Sequence, residues 1–543
     1  MTALTGTRRL VRLALRRDRV LLPVWIIAIS GIAAAVVRAY EATVPTVTDR
    51  VTTAMFSAGN PMARVFDGPA SGTELGAMAM VEAYQVLAIL TALMSAQAVV
   101  RHTRQDEETG RAELLGSAVV GRHARLAAAL VVTLAANLVL GAALAAVLAA
   151  GDLGGRGALA AGMSVAGIGW VFAGIAAVSA QVFSTARAAN AAAGAALGGA
   201  FLVRAAGDLL GDVASNGVAV ISAWPSWLSP IGWGQQVRPF YEDNWWIAGL
   251  FVGVMAAGVS AAFVLEAHRD VGPGMVATRP GPARAPRGLR SSVGLAWRLQ
   301  RTVWLSWLFG ATVMGAALAS VAESAEKLLA ENEQLTEMLT RLSPGAGAVE
   351  LYFTFLMAFV GIAAAGYTVQ ALLRMRSEEM TGRLEPVLAT AVARRRWLAG
   401  HVLIAGVGTT LILASAGLAG GVVHGALSGE WASGIGGLMA AALVQVPATL
   451  ALGGFVVAVF GLVPRWAGSL AWGALAAALV MGQLGAMLDL PQWVLNISPF
   501  THVPAVPAEA FTATPVLVLL AVAVAGALAG FAAFRRRDLA IGA

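Results

Sequence analysis

The chain has no cysteine, and its one lysine, Lys327, stands in the stretch SAEKLLA. The first absence excludes disulfides and thiolate metal sites, and leaves the redox compartment unread. The second excludes a phosphate-binding loop, because G-x-x-x-x-G-K-[ST] needs a lysine directly after its second glycine and Lys327 has no glycine near it. Histidine is sparse too. The six residues at 102, 123, 268, 401, 424 and 502 form no H-E-x-x-H and support no metal site. Charge of either sign is scarce, at 12% of 543 residues, whereas 58% are hydrophobic and the mean hydropathy is +0.74. That composition exceeds what any soluble core uses, so the sequence reads as an all-α integral membrane protein. A net charge of +7 would point to nucleic acid in a soluble chain. Here its distribution across the bilayer is what carries meaning, and no nucleic-acid partner is expected.

In chain order, Thr7 to Arg19 place Arg9, Arg12, Arg16 and Arg19 on one face of a surface helix. Apolar runs predict spans at Val20–Val37, Gly76–Val100, Leu126–Ala150, Ala158–Phe183, Ala188–Leu210 and Trp245–Glu266. Glu41 to Thr73, with three prolines, predicts short helices outside the membrane. Residues 268–292, rich in Pro, Gly and Arg, read as a linker between a first half, 1–267, and a second half, 293–543. The second half predicts one span opening at Arg298 and five more at Leu351–Leu373, Leu398–His424, Ile435–Val463, Ala467–Leu488 and Val516–Phe534, with an amphipathic external helix over Glu323–Leu342. Ser229-Pro230 and Ser498-Pro499 mark matching external loops. The expected architecture is two homologous six-helix halves, twelve spans in all, with both termini cytoplasmic.

A charged island follows span two of each half. A shift of 272 residues lays Arg104, Asp106, Glu107, Thr109, Gly110, Arg111 and Glu113 on Arg376, Glu378, Glu379, Thr381, Gly382, Arg383 and Glu385. Orientation alone requires only Lys or Arg. Acids and bases in a fixed order, broken by a glycine able to end one helix and start another, fit a short helix presented to a partner. On this topology 29 arginines and 11 acids lie inside, against 8 bases and 19 acids outside; the differences, +18 and −11, sum to the stated +7. Seven of the 11 inner acids lie in the two islands, which concentrates acidity where the partner is expected.

Within the spans, ionisable groups are costly and mark cavities or pairs. Glu82, Arg204 and Asp208 qualify, either as pathway residues or, for Arg204 and Asp208, as a pair bonded to each other four residues apart. The second half offers only Gly482, Gln483 and Ala486 nearby, so Met481 and Gln483 complete an asymmetric candidate pathway. Gly194 to Gly199, and Gly417, Gly421 and Gly425 at intervals of four, predict close helix packing. Gly162 to Ala166 imitates a nucleophile elbow, but inside an apolar helix that has no strand-turn-helix context.

Two six-span halves, an amphipathic entry helix, an E-E-x-T-G-R-x-E loop after span two, no ATPase motif and a Ser-Pro external loop resemble the permease subunits of ATP-binding cassette (ABC) exporters of the type V fold. The fused halves and NPMARVFDGPA at 60–70 resemble actinobacterial polyketide-antibiotic (tetronasin-type) efflux permeases. The resemblance implies that 104–122 and 376–394 are coupling segments. These would dock two copies of a nucleotide-binding ATPase subunit, which would carry ATP and Mg, while spans two and five line a path for an amphipathic small molecule. Glu108 opposite Met380 departs from equivalence of the two docking sites. Reversing Glu107 or Glu379 is expected to spare folding and weaken docking. Arg204→Ala is expected to alter the cargo profile. Two other classes compete: a twelve-span, ion-coupled secondary transporter, which would need a buried acid suited to proton relay, and a membrane-embedded enzyme or sensor subunit, which would need a catalytic cluster.

Overall fold

The computed structural model describes residues 2–151, 153–270, 272–276, 283–320, 348–484 and 491–539. The external helix expected over Glu323–Leu342 lies outside them. The chain divides into two units, Met1–Pro280 and Gly281–Ala543. Apart from one hairpin of two-residue strands, Asp212–Val213 with Val220–Ile221, the regular elements are helical. Eleven helical stretches among the described residues are long and apolar enough to cross a bilayer, Trp431–Leu462 counting as one, which makes this a multi-pass membrane protein.

The first unit opens with α1 (Thr7–Arg17), packed on a later helix, and α2 (Leu21–Thr43). Helix α2 runs six residues past the expected end at Val37, because Ala39 to Thr43 continue the helical pattern before Pro45 stops it. The polar segment then folds as α3 (Val47–Gly59) and α4 (Pro61–Phe66), and α3 starts on a reciprocal capping box between Thr46 and Asp49. Helix α5 (Leu75–His102) leads into α6 (Arg104–Glu108) and α7 (Arg111–Gly116). The rest of the unit is α8 (Ala124–Ala150), α9 (Gly155–Val182), α10 (Ala186–Leu209), α11 (Pro230–Gln236) and α12 (Ile247–Ala267). Helix α9 is the centre, packing against α5, α8 and α12 through a face of Ala and Gly. By contrast α12 has a mean hydropathy of 2.2 in its most apolar window, only 17% of which is buried in protein. An apolar helix left uncovered in this way has lipid as its solvent.

The second unit consists of α13 (Ser292–Ser320), α14 (Ala348–Met380), α15 (Leu384–Leu388), α16 (Arg394–Ser428), α17 (Trp431–Leu443), α18 (Val446–Leu462), α19 (Ala467–Leu479), α20 (Gln492–Leu495) and α21 (Ala513–Arg536). The span expected over Ile435–Val463 is broken between α17 and α18. Pro447, at the second position of α18, has no N–H to continue the ladder, and the break turns the buried Gln445 toward Gly361. Helix α19 is short and ends in a π-turn, Val480–Leu484; the remainder of the span expected to Leu488 lies outside the described residues.

The glycine runs part ways. On α16 a Cβ added at Gly417 would lie 2.8 Å from the carbonyl oxygen of Leu438, and one at Gly421 only 2.6 Å from Cα of Ile435. This is the close packing the interval of four predicts. Gly194, Gly198 and Gly199 meet nothing within 4 Å. Their side of α10 is open, contrary to the expectation of packing. Gly421→Ala should therefore lower the thermal stability of the purified protein by the equivalent of about 1–3 kcal/mol, the usual cost of overpacking. Gly198→Ala should be neutral or stabilising, since helix propensity rises and no neighbour is displaced. Thermal unfolding in one detergent compares the two, and equal losses would mean that these glycines are not packing devices.

Candidate functional site

The islands form at the end of α5 and of α14, where the apolar repeat stops and charge begins. In the first unit, left-handed Gly110 (φ 73°) separates α6 from α7; in the second, left-handed Gly382 (φ 71°) separates α14 from α15. Glycine takes that conformation without the Cβ penalty other residues would meet.

Most of the repeated charges turn inward. The Arg104 guanidinium is fully buried: Nε donates to the Ala180 carbonyl at 2.8 Å, Nη2 to the same oxygen, and Nη1 to Gly272 at 2.9 Å. Its Nη1 also lies 2.9 Å from Glu107. Glu107 in turn accepts two hydrogen bonds from Arg269, at 2.9 and 2.8 Å, just past the end of α12. Arg122 closes the arrangement by donating to the carbonyls of Glu266 and Arg269, each at 3.0 Å. The loop after span two is thus bolted to the last span of its own unit.

The second unit repeats the bolt with the corresponding residues. Glu379 accepts from Arg537 at 2.5 and 2.8 Å and lies 3.7 Å from Arg376, while Arg394 donates to the carbonyls of Phe534 and Arg537 at 3.2 and 2.6 Å. Arg537 also lies over the rings of Phe460 and Phe534. The two acids before these differ in their support. Asp106 holds Arg17 of α1 at 2.7 and 3.1 Å, and Glu378 holds Arg374 at 2.7 Å. Glu108 accepts the amide of Ala186 at 2.9 Å, where the N-terminal end of α10 favours an anion; the corresponding Met380 is exposed. Beside the first island, Asp18 meets Arg101 at 2.9 Å and His102 at 2.5 Å. Burial opposes its ionisation, but His102 and Arg101 outweigh that and hold its carboxyl below the usual value.

What remains outward is narrower than the motif. Thr109, Arg111, Glu113 and Leu114 are exposed in one unit, and Thr381, Arg383 and Glu385 in the other. The expectation that Glu107 and Glu379 are accessible contacts is overturned: their side chains are 4% and 0% exposed. Sequence reasoning missed Arg269 and Arg537. The signal was present, since each last span is followed by the same Arg-Asp pair, 269–270 and 537–538.

Each candidate pathway residue is described within its own unit. Arg204 and Asp208 have no exposed area, lie 3.1 Å apart, and Arg204 also donates to the carbonyls of Arg64 and Val65 at 3.2 and 2.6 Å. Arg204 therefore ties α10 to the end of α4, and among the described residues its charge is paired with Asp208 four residues away. Glu82 accepts from the Tyr40 hydroxyl at 3.1 Å. Met481 is half-buried in the π-turn, and the side chain of Gln483 lies outside the described residues. The Ser-Pro loops do match. Ser229 donates to Ala200 at 2.7 Å and Ser498 to Ala478 at 3.3 Å, and each hydroxyl caps the turn that its proline opens. A cavity of about 500 Å³ opens in the first unit among α2, α5, α9 and α10, lined by Trp25 and Phe172, by Gln97 and Asn190, and by the paired Asp18 and Arg101.

Residues 289–535 match the family model described as the C-terminal domain of the multidrug efflux system permease Rv1217c. The chain is also 38% identical, over 98% of its own length and 95% of the relative's, to the multidrug efflux system permease protein Rv1217c of Mycobacterium tuberculosis. The chain belongs to this family of ABC-type efflux permeases. In this permease one copy of the bolt lies before the part covered by the family model, and the other has Arg376, Glu379 and Arg394 within that part and Arg537 just beyond it, so the chain carries two copies of one device.

Proposed function

We propose that the chain is the transmembrane part of an ATP-driven exporter: two homologous six-span halves, 1–267 and 293–543, joined by the linker 268–292, with both termini in the cytoplasm. Two copies of a nucleotide-binding ATPase, which hold ATP and Mg, dock on the outward faces of the islands, around Arg111 and Glu113 and around Arg383 and Glu385. The observation that carries this reading is the bolt. A loop fixed by Glu107 or Glu379 to the last span of its half cannot be pushed without moving that span. A merely solvated loop would need no such anchor. Arg104, Asp106, Arg376 and Glu378 then position the coupling segments, and Thr109, Gly110, Thr381 and Gly382 shape their turns. The cargo is an amphipathic drug-like molecule. A mixed apolar and amide lining such as that of the 500 Å³ cavity binds by area and shape, with few fixed charges.

Co-expression with the ATPase encoded for the same system tests the assembly. Purification through a tag on the permease should bring down the ATPase, with a mass equal to one permease and two ATPase chains. Glu113→Arg with Glu385→Arg should lose the ATPase while leaving the permease monodisperse. An assembly holding two permease chains, or a permease that exports cargo with no ATPase, would overturn the reading.

A further inference from the structure

Helix α1 carries more positive charge than its contacts use. Arg8, Arg9, Arg12, Arg16 and Arg19 are all exposed, and none makes an ion pair among the described residues. At 3.6 residues per turn the four on the helix fall within an arc of about 100°, and Arg19 follows in the turn just after it. The opposite side of the helix is occupied. Ala14 is buried and Leu10 and Val11 half-buried, with the helix packed on α8, while Arg17 is turned inward to Asp106. A typical interfacial helix lays its apolar face in the membrane, but this face is already used against protein. The free face is a strip of guanidinium groups edged by exposed Leu13 and Leu15. Its depth is set by the chain: α1 ends at Arg17, and the first apolar span starts at Leu21, with Val20 and Leu21 exposed. Three residues of connection keep the strip at the headgroup level of that span.

We propose that the outer face of α1 binds the phosphates of anionic phospholipids in the inner leaflet, with Leu13, Leu15 and Val20 reaching the acyl chains beside them. Guanidinium is the right donor for this. Its planar fork meets phosphate oxygens bidentately and remains charged at headgroup depth. Among the described residues, the entry helix of the second half carries no such strip. The corresponding entry helix α13 exposes only Arg298 and Arg301, and continues into its span without a break. Since Arg17 joins the same helix to Asp106, bound lipid also steadies the first coupling segment from its membrane side. The leaflet assignment rests on the orientation proposed above; the lipid chemistry does not.

The test uses the full-length purified permease without any ATPase, so its failure is separable from failure of the exporter reading. Fluorescent phosphatidylglycerol and phosphatidylcholine are titrated in detergent, and retained lipid is measured. The wild type should retain phosphatidylglycerol preferentially. A variant with Arg8, Arg9, Arg12, Arg16 and Arg19 all changed to Gln should lose at least about tenfold of that affinity, because each basic residue at an anionic surface contributes roughly fivefold, about 1 kcal/mol. Changing the same five to Lys should keep most of it, and Arg298→Gln with Arg301→Gln should keep all of it. Unchanged phosphatidylglycerol retention in the five-Gln variant would overturn the proposal, as would equal retention of phosphatidylcholine by the wild type. Displacement by inorganic phosphate as readily as by lipid would also overturn it, in favour of a free-anion site. If the five-Gln protein does not fold, the wild type alone decides: retention that fails to weaken with rising salt contradicts an electrostatic surface.

Discussion

Glu107→Arg together with Glu379→Arg is expected to abolish folded permease, so that transport disappears because the protein does. Each carboxylate is enclosed by guanidinium groups: Arg104, Arg125 and Arg269 around the first, Arg376 and Arg537 around the second. Removing one partner from a buried ion pair costs about 3–5 kcal/mol, because the charge left behind has lost both water and its counter-ion. Inserting a like charge adds repulsion in a region where little water screens it. Against a domain stability of about 5–15 kcal/mol, two such losses are decisive. The exchange variant Glu107→Arg with Arg269→Glu should recover part of the loss, since the pair is restored with reversed polarity; the coupling energy in a double-mutant cycle reads this directly. Folded, monodisperse protein from the double reversal, with stability near wild type, would show that these acids do not bolt the loop. Glu113→Arg is the control, because its side chain is exposed and its loss should touch docking alone.

Arg204→Ala should destabilise the permease by about 3–5 kcal/mol while leaving the relative resistance to acidic, neutral and cationic compounds unchanged in whatever protein survives. The guanidinium holds the carbonyls of Arg64 and Val65 as well as Asp208, so truncation orphans three acceptors at once. It also releases α4 from α10. Asp208→Ala alone should be similarly costly, because it leaves Arg204 buried with one counter-charge fewer. The double replacement should cost less than the sum, since neither charge is then left alone. Unfolding in detergent measures the three variants. A resistance profile shifted specifically against acidic compounds, at unchanged stability, would return Arg204 to the transport path.

Much of the fold was legible because its physics is one-dimensional. In hydrocarbon every backbone group must be satisfied within the segment, so an apolar run of sufficient length is a helix whatever surrounds it. That argument located α5, α8, α9, α10 and α12 to within a few residues. It lacked the means to foresee the break at Gln445, because one proline near a helix start is tolerated in many spans and only the packing against Gly361 shows which way the chain turns. The glycines divide for the same reason: Gly421 and Gly198 are alike in sequence, and the neighbour that distinguishes them comes from another helix.

The charged islands show where the boundary lies. Repetition at a fixed offset identified Glu107 and Glu379 as members of one motif, since spacing and charge order are properties of the chain alone. Which side of the loop they face is not. Helix α6 has five residues, too short for a periodicity that separates an inner from an outer face, and the deciding partners, Arg269 and Arg537, stand 162 and 158 residues away. From the sequence by itself came the membrane, the duplication, the absence of a phosphate-binding loop and the place of the islands, all of which depend on composition and local order. Only the tertiary structure decided that the acids are bolts and that Arg204 is an anchor, because a charge declares its role through what lies within about 4 Å of it, and those neighbours are distant in sequence.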